Sequence, residues 1–234
     1  MALISVIIPV FNCERYIAAA VESVFKQTLA PSEIIVVDDG STDATPRILA
    51  AFNPPVTVIR QPNRGGAAAS NRGVEMSTGR FLCFLDADDL WSHDKVARQF
   101  DRLTKHSDKE AVFGLVQQFI SDDLAPHLAS RLACPQAPQP GICKTNMMIR
   151  RDAFERIGLF DSTLRSIDFL EWYTRATENG LQVDMLAEVV AFRRLHAMNY
   201  GSARRDEQRS ENLEVLKRAL DRRRSRFAPQ SIKP

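Results

Sequence analysis

The sequence predicts an α/β fold, a three-layer α/β/α arrangement around a mostly parallel central sheet. Two observations carry this. Short apolar, β-branched runs alternate with stretches of helical apolar spacing through the first hundred residues, and three of those runs end in polar or carboxylate-bearing turns. Strands covered on both faces read as continuous apolar runs, and parallel neighbours need a crossover between them, usually a helix.

Ile4 to Val10 is the first such run, ending in Pro9-Val10-Phe11-Asn12. Glu14 to Gln27 follows, with Ile17, Val21, Val24 and Phe25 at helical spacing. Glu33 to Val37 predicts a second buried strand, stopped by Asp38-Asp39-Gly40-Ser41. The segment from Ser41 to Pro46 is rich in helix-start residues, and Ile48, Leu49 and Phe52 continue it until Pro54-Pro55. Val56 to Ile59 is a third strand, Gly65-Gly66 opens a small-residue helix running to Met76, and Arg80 to Leu85 is a fourth strand ending at Asp86.

Beyond residue 90 the rhythm loosens. Lys95 to Leu103 predicts a helix and Ala111 to Ile120 a strand. Residues 121–141, with Pro126, Pro135, Pro138, Pro140 and Gly141, predict a long irregular loop of the kind that serves function. Ile142 to Ile149 reads as a strand, Arg151 to Ile157 and Asp168 to Asn179 as helices, and Val183 to Leu195 as one strand or two. Asp206 to Arg224 predicts a terminal amphipathic helix with Leu213, Leu216 and Leu220 as its apolar face. Neither an internal repeat nor an interdomain linker is visible. Residues 1–202 therefore read as one domain, with halves 1–100 and 101–202, and residues 203–234 as a basic helix and tail.

Of the 234 residues, 44% are hydrophobic and 26% charged, as in ordinary globular chains. A net charge of +2 gives no reason to expect nucleic acid. The tail from residue 203 carries ten Lys/Arg against five Asp/Glu, so it holds +5 while the first 202 residues hold −3. Such a tail reads as a solvated helical face, or as peripheral contact with an anionic membrane through Arg222, Arg223, Arg224 and Arg226. Cys13, Cys83, Cys134 and Cys143 form no C-x-x-C pair, which predicts reduced structural thiols and a cytoplasmic setting. The apolar start lacks a preceding basic region and is broken by Pro9, so neither a signal peptide nor a membrane span is expected there.

In open α/β sheets, ligands gather beyond the carboxyl ends of the strands. Three strands here end in Pro9–Asn12, Asp38–Ser41 and Asp86-Ala87-Asp88-Asp89. One turn aspartate is commonly a helix cap; three such turns at one edge point to a ligand. Asp86 and Asp88, two apart at a strand end, suit a hard divalent cation such as Mn²⁺ or Mg²⁺, which prefers oxygen ligands and keeps substrate phosphates in its shell. No Cys/His set stands at zinc spacing.

The series Ser5–Asn12, Glu22–Thr28, Glu33–Asp43, Asn63–Gly66 with Asn71-Arg72-Gly73, Ser77–Gly79 and Phe84–Asp89 resembles the donor half of the family 2 glycosyltransferases of the GT-A fold, over roughly residues 3–100. The resemblance implies a Rossmann-like GT-A sheet, a nucleotide-diphospho-sugar donor and an inverting displacement. It implies that Pro9 and Phe11 flank the base and that Asp39, beside Asp38, hydrogen-bonds its edge. Asp86, followed by Ala87, lies near the ribose, Asp88 holds the metal, and Asn71 and Arg72 approach the diphosphate. It makes 1–100 the nucleotide-sugar half and 101–202 the acceptor and catalytic half. The acceptor, a saccharide, a lipid-linked saccharide or a peptide, is expected against residues 114–150.

The second half resembles the family through Asn146–Arg151 and Ile157–Asp161. Members then carry adjacent Glu-Asp, the Asp being the base, with another acid two residues later. A gap-free match puts Asp168, Phe169 and Glu171 at those places, so a phenyl ring occupies the usual base position. An inverting transfer needs one carboxylate within reach of the acceptor hydroxyl. Asp168 and Glu171, three apart on a helix, are the candidates, with Asp168 first. Arg193, Arg194, His196 and Asn199 follow the last strand and suit a diphosphate; His196 also suits the metal. Trp172 and Tyr173 offer either a sugar-stacking face or core.

Two other readings compete. Phe84–Asp88 also resembles the Asp-x-Asp of haloacid-dehalogenase-like phosphatases, but there the nucleophile opens the chain, whereas here three strand–helix units precede it. The other is a nucleotide-sugar-binding module that has lost transfer, for which Phe169 is the support.

Overall fold

The computed structural model describes residues 4–52, 55–130, 132–196, 211, 213–215 and 217–222. The first half runs β1 (Ile4–Val10), α1 (Ile17–Phe25), β2 (Glu33–Asp38), α2 (Thr45–Ala50), β3 (Val56–Arg60), α3 (Gly66–Met76) and β4 (Phe81–Phe84). The second runs β5 (Leu90–Trp91), α4 (Lys95–Lys105), β6 (Ala111–Ile120), α5 (Pro126–Ala129), β7 (Gln139–Gly141), a 3-10 turn (Lys144–Asn146), β8 (Met148–Arg150), α6 (Arg151–Ile157), α7 (Asp168–Glu178) and β9 (Val183–Leu195).

Among the described residues nine strands form one sheet in the order β3-β2-β1-β4-β8-β6-β9-β5, with β7 paired to β6. β3, β2, β1 and β4 are all mutually parallel, as their crossover helices require. β8 enters antiparallel between β4 and β6, and β9 lies parallel to β6. The parallel half therefore aligns the carboxyl ends of β1, β2 and β4 on one edge.

The side-chain alternation of β1 explains the three layers. Ile4, Val6, Ile8 and Val10 pack with Ile34 and Val36 under Ile17, Val21, Val24, Leu49 and Val96 from α1, α2 and α4. Ile7, Leu82, Phe84 and Phe113 face the opposite layer of Val74, Phe154, Trp172 and Ala176 from α3, α6 and α7. Gly73 lets α3 press onto β1, since a Cβ there would sit 2.4 Å from Ile7 Cγ2. No helix among the described residues is long and apolar enough to cross a membrane.

Three expectations change. Residues 121–141 are not wholly irregular, because α5 and β7 lie within them and β7 pairs with β6. The expected strand over Ile142 to Ile149 is a 3-10 turn followed by a three-residue strand. Buried side-chain bonds decide this: Asn146 Nδ2 donates to the carbonyls of Gly114 and Gly141, and the Trp91 indole donates to the Thr145 carbonyl. In the terminal helix, Val215 is the buried residue, packed with Leu164 and Ile167, while Leu213 and Leu220 are exposed. Leu216, Arg223, Arg224, Arg226 and Asn199 lie outside the described residues.

Candidate functional site

The three carboxylate-bearing turns form a continuous rim. The Asp39 amide donates to the Val10 carbonyl at 2.8 Å, closing the turn after β2 onto the end of β1. Asn12, at φ +47, donates its amide to Ser41 Oγ at 2.9 Å, and its Oδ1 accepts the Thr42 amide at 2.8 Å. On the other side, Cys13 Sγ donates to the Ala87 carbonyl at 3.4 Å. The turn after β1 thus touches the Asp38-Asp39 turn and the Asp86–Asp89 turn at once. Asp39 and Asp88 stand on the same edge of the sheet.

Asp38 and Asp39 are buried, and both shape the rim. Asp38 Oδ1 accepts the Ser41 amide at 2.9 Å, and its other oxygen faces Arg60 at 3.6 Å. Asp39 Oδ1 accepts the Gln61 side chain at 2.8 Å and the Arg64 amide at 2.9 Å, while Oδ2 accepts the Gly65 amide at 2.7 Å. Oδ1 has both lone pairs taken and Oδ2 keeps one, so Asp39 fixes the loop into α3 and can still offer one acceptor at the rim. Pro9 pairs with Val37 inside the sheet, and Phe11 is exposed (48%) at the rim. An aromatic face held in water beside polar groups suits stacking on a flat ring.

The Asp86–Asp89 turn is held from the second half. The Asp86 amide donates to Thr145 Oγ1 at 3.1 Å. Asp89 is buried, and its Oδ1 accepts the Arg194 amide at 3.0 Å, while Arg194 Nε donates to the Asp88 carbonyl at 3.0 Å. The Arg194 guanidinium lies between the rings of Tyr16 and Phe119, at 4.8 and 4.7 Å. His196 Nε2 is 2.9 Å from Asp88 Oδ2, and its ring packs on Tyr16 with centroids 4.7 Å apart. Tyr16 in turn donates its hydroxyl to Asp123 at 2.8 Å. The end of β9 therefore brings Arg194, which with Arg193 lies within the strand rather than after it, and His196, just beyond it, to the turn.

Charge is crowded there. Burial pushes the Asp86 carboxyl up, Lys144 opposes, and Asp88 pushes it further up. Burial, then Asp88 and Asp86, push Asp89 well up. A divalent cation at this turn would relieve the mutual repulsion of the three carboxylates. Among the described residues no three His, Cys, Asp or Glu side chains form a ready-made cage. Asp88, 30% exposed, and His196 supply two donors, which fits a Mn²⁺ or Mg²⁺ that takes its remaining ligands from a diphosphate and water. The neighbouring thiols are poor ligands by comparison: burial raises both Cys13 and Cys143 to about 12, and all four cysteines are free.

Asp168 opens α7 and reaches this cluster, its Oδ2 accepting the Lys144 ammonium at 2.8 Å. The resemblance that pointed to Asp168 gave no sign of Lys144, 24 residues away. Phe169 is built into an aromatic cluster, stacked on Trp172 and Tyr173 at 5.9 and 6.0 Å and edge-on to Phe113. Trp172 is fully buried, which assigns it to the core, and Tyr173 packs against the same cluster. Glu171 does not join Asp168. It is buried against Arg175 and Arg222, at 3.2 and 3.4 Å.

Two other expectations meet a different geometry. Asn71 sits mid-helix in α3, where its Nδ2 donates to the Phe160 carbonyl at 2.8 Å and its Oδ1 accepts the Phe160 amide at 3.0 Å. It ties the two halves together and has spent its amide on backbone. Arg72 pairs with Glu75 on the helix surface at 3.2 Å. Arg222 likewise is committed, to Glu178 at 2.6 Å and to Glu171, so it is not free to meet an anionic surface.

Residues 5–158 match the family described as Glycosyl transferase family 2. The glycosyltransferase GlyG of Streptococcus pneumoniae is 35% identical over 52% of this chain and 41% of its own length. An Escherichia coli chondroitin synthase is 29% identical over 94% of this chain, which covers 33% of that protein. The chain thus spans less than half the length of either relative. Among solved structures, S. aureus TarS in complex with UDP-GlcNAc superposes with a TM-score of 0.69 at 20% identity, over 86% of this chain and 61% of that one. That likeness is one of fold.

Proposed function

The chain belongs to glycosyl transferase family 2, and from that premise we propose that it moves one sugar, with inversion, from a UDP- or GDP-linked donor to an acceptor hydroxyl, assisted by Mn²⁺ or Mg²⁺. One observation carries the reading. Asp168 has one oxygen held by Lys144, while its other oxygen takes part in no hydrogen bond among the described residues, in a side chain 15% exposed. A fixed carboxylate with one open oxygen, beside the Asp86–Asp89 turn, suits a general base.

In the reaction, the acceptor O–H bond breaks as its proton passes to the open oxygen of Asp168. The acceptor oxygen bonds to the anomeric carbon from the face opposite the leaving group. The bond from that carbon to the diphosphate oxygen breaks, and its electron pair leaves with the nucleoside diphosphate. A divalent cation, when bound by Asp88 and His196, supplies Lewis-acid neutralisation of the departing diphosphate. Phe11 and Pro9 flank the base, Asp39 offers its edge an acceptor, and Asp86 lies toward the ribose. Arg194 holds the Asp88 backbone in place. The acceptor, a saccharide, a lipid-linked saccharide or a peptide, approaches past residues 114–150.

The test is release of nucleoside diphosphate from UDP- and GDP-sugars with Mn²⁺ across an acceptor panel. D168N is expected to slow release by about a hundredfold or more, the usual contribution of a positioned base. Full activity in D168N removes Asp168 from this role. Tight donor binding by the native chain, with no release on any acceptor, would favour a binding module instead.

A further inference from the structure

We infer that Lys144 is the positioning residue of the transfer step: it pins one oxygen of Asp168 so that the other meets the acceptor hydroxyl. The inference rests on the reading of Asp168 as the base. Lys144 is nearly buried, and its ammonium stands 2.8 Å from Asp168 Oδ2 and 5.0 Å from the centre of the Phe160 ring. It comes from the 3-10 turn, whose next residue, Thr145, accepts the Asp86 amide and whose third, Asn146, bonds to β6 and β7. The turn is therefore rigidly tied both to the Asp86–Asp89 turn and to the sheet. Lys144 carries that rigidity to the first residue of α7.

The chemistry asks for such a tie. A carboxylate at a helix start has free χ rotation, and a base must hold its oxygen within hydrogen-bond reach of the proton it takes. Phe169 and Trp172 fix the helix but leave the Asp168 carboxylate unrestrained. Lys144 restrains it. Burial alone would lower the Lys144 pKa, but Asp168 and then Asp86 outweigh burial and raise it, so the ammonium persists at neutral pH. The charge of Lys144 also offsets the repulsion between Asp168 and Asp86. No step of the transfer consumes its proton.

A double-mutant cycle tests this, with K144M chosen because it keeps length and apolar volume. In the otherwise native chain, K144M is expected to lower kcat for UDP-sugar turnover at least tenfold and to change donor KM less than threefold. In D168N, which has no carboxylate to pin, K144M is expected to cost less than a further twofold. K144Q, a shorter neutral donor, should fall between native and K144M. Calorimetric titration with UDP and Mn²⁺ and a thermal melt establish that each variant is folded and binds nucleotide as the native chain does. Additive losses in the double mutant, unchanged kcat in K144M, or a loss of UDP affinity that accounts for the rate would each overturn the assignment. Full activity in D168N alone would instead fell the base assignment, and this inference with it.

Discussion

Phe169 shows how a single residue can depart from its family without harm to the fold. Its ring is the hub of a cluster with Phe113, Trp172 and Tyr173. F169D, which restores the residue type usual in the family, would place a carboxylate among rings. It should destabilise the chain by about 3 kcal/mol or more, read as a lowered urea midpoint, without raising transfer. A stable, faster F169D would contradict the placement of that ring. Asn71 is a second case. N71A removes both bonds to the Phe160 backbone and should cost about 2 kcal/mol, while UDP affinity stays within a few-fold. Residues of this kind divide sharply in legibility. Asp38, Asp39, Asp86 and Asp88 declare themselves because turn aspartates after apolar runs are a local pattern. Lys144 and Asn71 do not, since their partners lie 24 and 89 residues away.

Elements were legible where a period was sustained. The alternation from β1 to β4 follows from apolar runs and punctuating Gly and Pro residues, and the helix over Asp168 to Glu178 from its start and its stop at Gly180. The stretch Ile142 to Ile149 misled because apolar residues flank a turn that distant partners, Trp91 and Gly114, help to fix. Glu33 ties β1 and β2 to the turn before β4 at the opposite edge, its Oε1 accepting Ser5 Oγ and the Thr78 and Gly79 amides. Burial opposes the charge, yet these hydrogen bonds, Ser5 first, prevail and lower its pKa below 4.5. The stabilisation it gives is thus present above that value and lost as pH falls through the lower folded value. E33Q should lower the melting temperature near neutral pH, and the gap from native should close in acid. A gap that widens in acid would reverse the sign. The terminal helix belongs to this scale too. Glu211 accepts the amides of Arg165 and Ser166, just ahead of Asp168, and Arg218 pairs with Asp161 at 2.7 Å. E211A should speed hydrogen exchange at Arg165 and Ser166 and lower kcat more than UDP affinity. Unchanged exchange at those amides would show that the helix does not brace this loop.

Across the whole molecule, the parallel half builds a rim and the second half reaches into it. β9 brings Arg194 and His196 to Asp88 and Asp89, the 3-10 turn brings Thr145 to Asp86, and α7 brings Asp168 to Lys144. The rim was legible because strand order in a βαβ series dictates which ends align. The docking of the second half was not, since antiparallel insertion of β8 and the long β6–β9 pairing depend on contacts across many residues. In the proposed reaction this rim gathers a divalent ion and a nucleoside diphosphate through Asp88. Calorimetric titration of UDP into the native chain and D88N, each with Mn²⁺ and with EDTA, tests it most directly. Native binding should weaken at least tenfold in EDTA, and D88N should bind weakly in both conditions. Equal UDP affinity in all four titrations would show that neither the cation nor Asp88 holds the diphosphate.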